Sequence, residues 1–272
     1  MKAKKQLKKA IIPVAGMGTR VQEMTHGLPK EMLSIGGKPM IFYAIQEAAL
    51  SGLEELYIVI NEHKTALRKY LESADLARAI GSSLPCLTFI EQPLPLGSGE
   101  AIYRARALIG EEPFALMMPD FVLFGDTPAL RQLILLHEQC GCDIVGLLPL
   151  LGKEAEGFGN VGIVQGQEQE SGAVAIHSLS DKMPTPLIVR EEEQVLKAVP
   201  YWILGPHFFD YLERTKATDA GEWDDTPALQ MLCAEREVFG RILDGRGFDV
   251  GNPVGYEAAK AYAAQLDARG KR

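Results

Sequence analysis

The chain has 272 residues, 47% of them hydrophobic and 24% charged, a balance that excludes disordered and collagen-like chains. No segment approaches the roughly 18 uninterrupted apolar residues of a membrane span, so a soluble protein of one large domain or two small ones is expected. Acidic residues outnumber basic ones 36 to 28, for a formal charge of -8; that field repels polyanions, argues against nucleic acid as a main partner, and requires any phosphorylated small molecule to meet a local cationic site or a divalent metal.

Five lysines fall among the first nine residues, but the apolar stretch that follows is short and contains Pro13, unlike the hydrophobic core of a targeting signal. They read as a solvated lead-in to a strand at 10–14. Strands at 55–60, 87–91, 114–118 and 143–150 then alternate with helical periodicity at 40–50, 65–73, 100–108 and 129–140. The run Leu56-Tyr57-Ile58-Val59-Ile60 is apolar on both strand faces, which calls for a mostly parallel sheet covered by helices on both sides. After Leu151, short strands at 161–164, 173–179 and 198–204 suit an antiparallel lobe beside that sheet, and a helix at 227–234, a strand at 238–243 and a helix from 256 to about 268 complete a single α/β domain.

The cysteines, Cys86, Cys140, Cys142 and Cys233, are too few for a disulfide framework, and Cys140-Gly141-Cys142 lacks the two-residue spacer of a zinc knuckle or redox pair; reduced thiols and a cytoplasmic location follow. The histidines His26, His63, His137, His177 and His207 have no metal-binding spacing, and no serine sits in a G-x-S-x-G elbow, which sets aside zinc sites and hydrolytic triads.

In open α/β sheets, ligands bind beyond the carboxyl ends of the strands. After the first strand comes Ala15-Gly16-Met17-Gly18-Thr19-Arg20, where glycines admit a phosphate close to backbone N–H groups and an arginine fork can bind its oxygens. A dinucleotide fingerprint would need glycine at Val21 and an acid near Asn61, and no Walker loop is present, so the turn reads as a phosphate-facing loop of another kind. Pro29-Lys30-Glu31-Met32-Leu33 and Gly36-Gly37-Lys38-Pro39-Met40 leave and rejoin the same strand end, so Arg20 and Lys30 concentrate positive charge as a polyphosphate requires. Gln92, after the third strand, offers an amide that can donate to and accept from a pyrimidine edge, while Gly97 and Gly99 admit a flat base. Asp120 and Asp249 follow later strands; they either cap turns or together hold Mg²⁺, which favours one or two carboxylates plus phosphate oxygens.

Taken together, Gly16-Met17-Gly18-Thr19-Arg20, Pro29-Lys30-Glu31-Met32-Leu33, Lys38-Pro39-Met40-Ile41, Gln92-Pro93, Leu96-Gly97-Ser98-Gly99-Glu100-Ala101, Asp120 and Phe248-Asp249-Val250-Gly251-Asn252 with Gly255-Tyr256 closely resemble the bacterial UTP:glucose-1-phosphate uridylyltransferases, or UDP-glucose pyrophosphorylases, of the sugar-phosphate nucleotidyltransferase family. The likeness spans roughly residues 9–262. It implies a Rossmann-like, mostly parallel or mixed sheet flanked by helices with a small antiparallel sugar-binding lobe. The nucleotide-binding half would reach about residue 150, the sugar lobe and second metal ligand would occupy about 151–255, and a C-terminal helix 256–272.

The resemblance also implies roles. Ala15, Gly16, Gly18 and Thr19 would bind the nucleotide, Gln92 and Gly97 would recognise uracil, and Gly162 and Asp181 would contact the sugar substrate. Arg20, Lys30 and Lys182 would be catalytic, with Mg²⁺ on Asp120 and Asp249. The partners would be UTP and a sugar 1-phosphate, without nucleic acid or membrane, in a homodimer or homotetramer for which the tail from Tyr256 offers a contact surface. The reaction would be attack by the sugar phosphate on the α-phosphorus of UTP; a phosphate monoester is already ionised near pH 7, so alignment and charge neutralisation suffice without a general base.

The chain departs from the family pattern at several points. Pro119-Asp120-Phe121 replaces Gly-Asp-Asp, Glu222-Trp223-Asp224-Asp225-Thr226-Pro227 replaces a Gly-Glu-Ile-Gln-Leu-Thr-Asp-like segment, Glu100 stands where a histidine is usual, and Asp181-Lys182-Met183-Pro184 stands where the family has Glu-Lys-Pro. These departures leave room for another sugar 1-phosphate, for dTTP, or for a weakly active or non-catalytic homologue that binds a nucleotide sugar.

Overall fold

The computed structural model describes residues 6–18, 25, 27–159, 162–170, 172–181, 188–216 and 221–269. Its frame is a nine-stranded mixed sheet in the order β5-β4-β1-β6-β11-β8-β12-β10-β9. Here β1 is Lys9–Pro13, β4 Glu55–Ile60, β5 Cys86–Glu91, β6 Phe114–Met117, β8 Asp143–Leu151, β9 Ile163–Glu168, β10 Ala173–Leu179, β11 Gln194–Leu204 and β12 Val238–Ile242. The first half is parallel as expected: β1 pairs with β4 and β6, and β4 with β5. The first strand starts one residue before the predicted position; Lys8 ahead of it pairs with Glu54, and Lys9, its first residue, with Glu112.

Alternation along these strands splits the core into two layers. Ala10, Ile12, Ile58 and Ile60 face one layer with Ile41 and Ile45 of the helix Met40–Leu50 and Leu130 and Leu133 of the helix Ala129–Cys140. Ile11, Tyr57 and Val59 face the other, with Ile102, Phe208 and Leu232. Burial of both faces is the reason these strands read as unbroken apolar runs.

The later strands join the same sheet and form no detached lobe. β11 runs antiparallel to β6 through Tyr201 to Leu204 and to β8 through Gln194 to Ala198, while its residues Leu196 and Lys197 also pair with β9. The register shifts between Ala198 and Trp202, where Pro200 sits; a bulge is where a residue without an N–H can enter a central strand. The stretch predicted as one helix at 100–108 is two, Ser98–Tyr103 and Arg106–Ile109, because the chain tightens into three-residue bonds from Ala105 N to Ile102 O and Leu108 N to Ala105 O.

Two short pairs lie outside the main sheet. β2 (Ser34–Ile35) and β3 (Lys38–Pro39) form a hairpin through Gly36 and Gly37, with φ of 51° and 77°, a turn that suits glycine. β7 (Phe121–Phe124) pairs antiparallel with β13 (Arg246–Asp249). The final helix, Pro253–Ala268, is capped by Asn252, whose side chain accepts from Val254 N and Gly255 N. Its Tyr256, Ala259 and Ala263 pack against Ile35, Met40, Val122 and Phe248, so this part of the helix, read from sequence as a contact surface between subunits, is occupied within the chain.

Candidate active site

The carboxyl ends of β1, β5 and β6 meet the middle of antiparallel β11, Lys197 to Trp202, around a cavity of about 580 Å³, within the range of small-molecule sites. The glycine turn forms one wall, with Ala15, Gly16 and Gly18 lining the cavity. Gly18 has φ of 66°, and a Cβ there would lie 3.2 Å from Cβ and Cγ of Lys30, so both the backbone conformation and the close approach of Lys30 favour glycine here. Thr19 and Arg20, expected beside the phosphates, lie outside the described residues, as does Lys182.

Lys30 and Glu31 point to different partners. Lys30 Nζ is 2.8 Å from Asp120 Oδ2. Glu31, fully buried, receives Lys64 Nζ at 2.8 Å on both carboxylate oxygens. Burial lowers the Lys64 pKa against the pull of Glu31. The sequence reading gave Glu31 and Lys64 no role; the fold makes them a buried ion pair.

Asp120 and Asp249 are neighbours in the fold. Asp120 directly precedes β7 and Asp249 ends β13, and the register sets Phe121 opposite Asp249. Val250 N donates to the Asp120 carbonyl at 2.8 Å, and a Cβ on Gly251 would stand 2.8 Å from Asp120 Oδ2. Asp249 accepts from Gly159 N at 2.8 Å and Gly251 N at 3.1 Å. Both aspartates line the cavity.

Lys197 is the residue that sequence reasoning missed. It is 7% exposed and lines the same cavity, and its ammonium lies 3.4 Å from where a Cβ on Gly162 would stand. Burial lowers its pKa to about 8, opposed by the charges of Asp249 and Asp120. The available signal was a lysine between Leu196 and Ala198 in an apolar run, but the predicted strand began at Ala198 and left it outside. Gly162 lines the cavity with φ of 81°. Asp181 is exposed and does not line it.

At the end of β5, Gln92 is 3% exposed and lines the cavity together with Gly97. Gly97 has φ of 108°, and the space beside Gly97 and Gly99 is filled by the backbone of Trp223 and Asp224; the close approach these glycines allow is to that segment. Asp224 and Asp225 reach the cavity there and share the Ser98 hydroxyl. Burial and the adjacent Asp224 push the Asp225 carboxyl above the usual carboxylate range.

Among the described residues, no group of three or more His, Cys, Asp or Glu is arranged to hold a metal. The four cysteines are free thiols, and no described helix is long and apolar enough to cross a membrane.

The sequence matches the nucleotidyl transferase family over residues 9–265. It is 32% identical to UTP--glucose-1-phosphate uridylyltransferase 1 of Staphylococcus saprophyticus over 266 residues, 92% of this chain and 90% of that protein. A crystal structure of UDP-glucose pyrophosphorylase complexed with UDP-glucose is similar with a TM-score of 0.81 and 30% identity, over 95% of this chain and 99% of that one. A UTP-bound UGPase from Acinetobacter baumannii is similar with a TM-score of 0.78 and 25% identity, over 96% and 94%.

Proposed function

Because the chain belongs to the nucleotidyl transferase family, we propose that it transfers a uridylyl group from UTP to glucose 1-phosphate, forming UDP-glucose and releasing pyrophosphate. The observation that carries this reading is the adjacency of Asp120 and Asp249, at the shared end of the paired strands β7 and β13, in one cavity with the glycine turn, Lys30 and Lys197. The names of the relatives, and the UDP-glucose and UTP bound in the solved neighbours, support the choice of substrates.

In this account the glycine turn cradles the triphosphate through backbone N–H groups. Lys30 and Arg20 offset charge on the phosphates, and Lys197 and Lys182 receive the sugar phosphate. The sugar phosphate oxygen attacks the α-phosphorus and pyrophosphate departs; no proton has to be removed from the nucleophile, so the side chains align and neutralise. Two carboxylates suit a hard cation that takes its remaining ligands from water and phosphate oxygens, so Asp120 and Asp249 would hold Mg²⁺. Bound there, the ion would supply Lewis-acid charge neutralisation.

Asp224 and Asp225 favour a second reading, the same chemistry on another sugar 1-phosphate, since this acidic pair lines the cavity in a segment where the resemblance fails. Pyrophosphate release measured with UTP, dTTP and CTP against glucose, galactose and amino-sugar 1-phosphates tests both. Fastest turnover with UTP and glucose 1-phosphate is expected. A clear preference for another sugar selects the second reading, and no release from any pair refutes both.

A further inference from the structure

Gln92 Nε2 donates to Gly97 O at 3.0 Å and to Glu100 Oε2 at 2.7 Å, which engages both amide hydrogens. Turning the amide over would bring its carbonyl oxygen against a backbone carbonyl and a carboxylate, which can only accept. That orientation forfeits both bonds and adds repulsion in a buried site. The backbone is fixed as well: Gln92 N donates to Ile60 O at 2.9 Å, and Asn61 Nδ2 donates to Gln92 O at 3.0 Å.

Glu100 is itself held. Arg104 Nε donates to Oε2 at 2.9 Å and a terminal nitrogen of Arg104 lies 2.6 Å from Oε1, while its other terminal nitrogen donates to Glu91 O at 3.0 Å. The arginine thus ties the carboxylate to the end of β5, one residue before Gln92. A neutral side chain at position 100 able to donate would meet either end of the amide, leaving Gly97 O alone to set its orientation; a carboxylate meets only the amino end and adds a second acceptor that holds it.

We propose that Glu100, anchored by Arg104, is a positioning residue for base selection: it holds the Gln92 amide so that its carbonyl oxygen is what the cavity receives. The site then accepts nucleotides whose base presents a ring N–H, as uracil and thymine do, and rejects cytosine, whose corresponding ring nitrogen is a bare acceptor. This inference rests on the reading of Gln92 as the residue that meets the base, and it assigns no discrimination between UTP and dTTP to Glu100.

The test is the ratio of kcat/KM for CTP to that for UTP in the wild type, Glu100→Gln, Arg104→Gln and Gln92→Ala. The same ratio taken as CDP against UDP affinity by calorimetry covers any variant that turns over too slowly. Glu100→Gln is expected to raise the CTP-to-UTP ratio about tenfold, and Arg104→Gln to raise it by a smaller factor, which provides a second readout if the first variant does not fold. A fall in both nucleotides by one common factor would mean that Glu100 only supports the structure and would overturn the proposal. An unchanged ratio in both charge variants alongside a raised ratio in Gln92→Ala would overturn it while leaving the role of Gln92 intact. An unchanged ratio in Gln92→Ala would remove that role, and the inference with it.

Discussion

At Gly251 a single methyl group decides where a carboxylate can stand. A Cβ there would lie 2.8 Å from Asp120 Oδ2 and 3.1 Å from its Cβ, so Gly251→Ala must displace the Asp120 side chain. Misplacing a catalytic group by about 1 Å costs on the order of a hundredfold in rate, and a loss of turnover between tenfold and a hundredfold is expected in a pyrophosphate-release assay. Unchanged turnover would separate Asp120 from the chemistry. Lys197→Met removes an ammonium that balances two acids in the cavity; activity is expected to fall on the order of a hundredfold, with the KM for the sugar 1-phosphate rising if this residue receives that substrate. Residues of this kind were unevenly legible. Asp120, Asp249 and the glycine turn sit in motifs of recognisable spacing, whereas Lys197 becomes visible only when β11 bends through its bulge and carries position 197 into the cavity.

At the scale of elements, buried charges decide how the loops are held. Glu31 and Lys64 lock the segment carrying Lys30 onto the start of the helix Thr65–Leu71. Lys64→Met leaves Glu31 buried and unpaired, which costs about 3 to 5 kcal/mol. A drop in Tm of roughly 10 °C is expected, largely recovered in the double variant Glu31→Gln/Lys64→Met. Glu47 gives a pH dependence instead. It accepts from Leu130 N at 2.6 Å, between the helices Met40–Leu50 and Ala129–Cys140, and burial raises its pKa to about 7. A carboxyl whose pKa is higher folded than unfolded contributes most below its unfolded value, near 4.5, and that contribution is lost as pH rises through 7. Glu47→Gln is therefore expected to raise Tm by about 3 to 6 °C at pH 8, with the gain vanishing near pH 4.5; an equal effect at both pH values would contradict the assignment. The elements 40–50, 55–60, 129–140 and 173–179 were recovered to the residue, whereas the strand Gln194–Leu204 and the helix Pro253–Ala268 begin earlier than their predicted starts at 198 and 256. The helices Ala74–Ile80 and Phe208–Arg214, about two turns each, and the four-residue strand β7 escaped; a 3.6-residue period needs a longer window to register than strand alternation does.

Across the whole molecule, an acidic chain lines the cavity with Lys30 and Lys197 among the acids Glu31, Asp120, Glu222, Asp224, Asp225 and Asp249. The sequence led to an antiparallel lobe beside a parallel sheet, since turns and strand lengths change after Leu151. What it could not reveal is that β11 belongs to both parts, pairing with β6 at one end, with β9 at the other and with β8 at both. Pairings between strands far apart in the chain leave no local trace. This shared strand predicts that both parts unfold together, as one calorimetric transition whose van't Hoff and calorimetric enthalpies agree; two resolved transitions would mean that the lobe is energetically separate.

The most direct test is the rate of pyrophosphate release from UTP and glucose 1-phosphate, with and without added Mg²⁺, in the wild type, Asp120→Asn and Asp249→Asn, with thermal melting of each protein alongside. Release that depends on the cation in the wild type and falls at least about a hundredfold in each variant, with melting preserved, is the predicted result. Near-normal rates in both variants would contradict it.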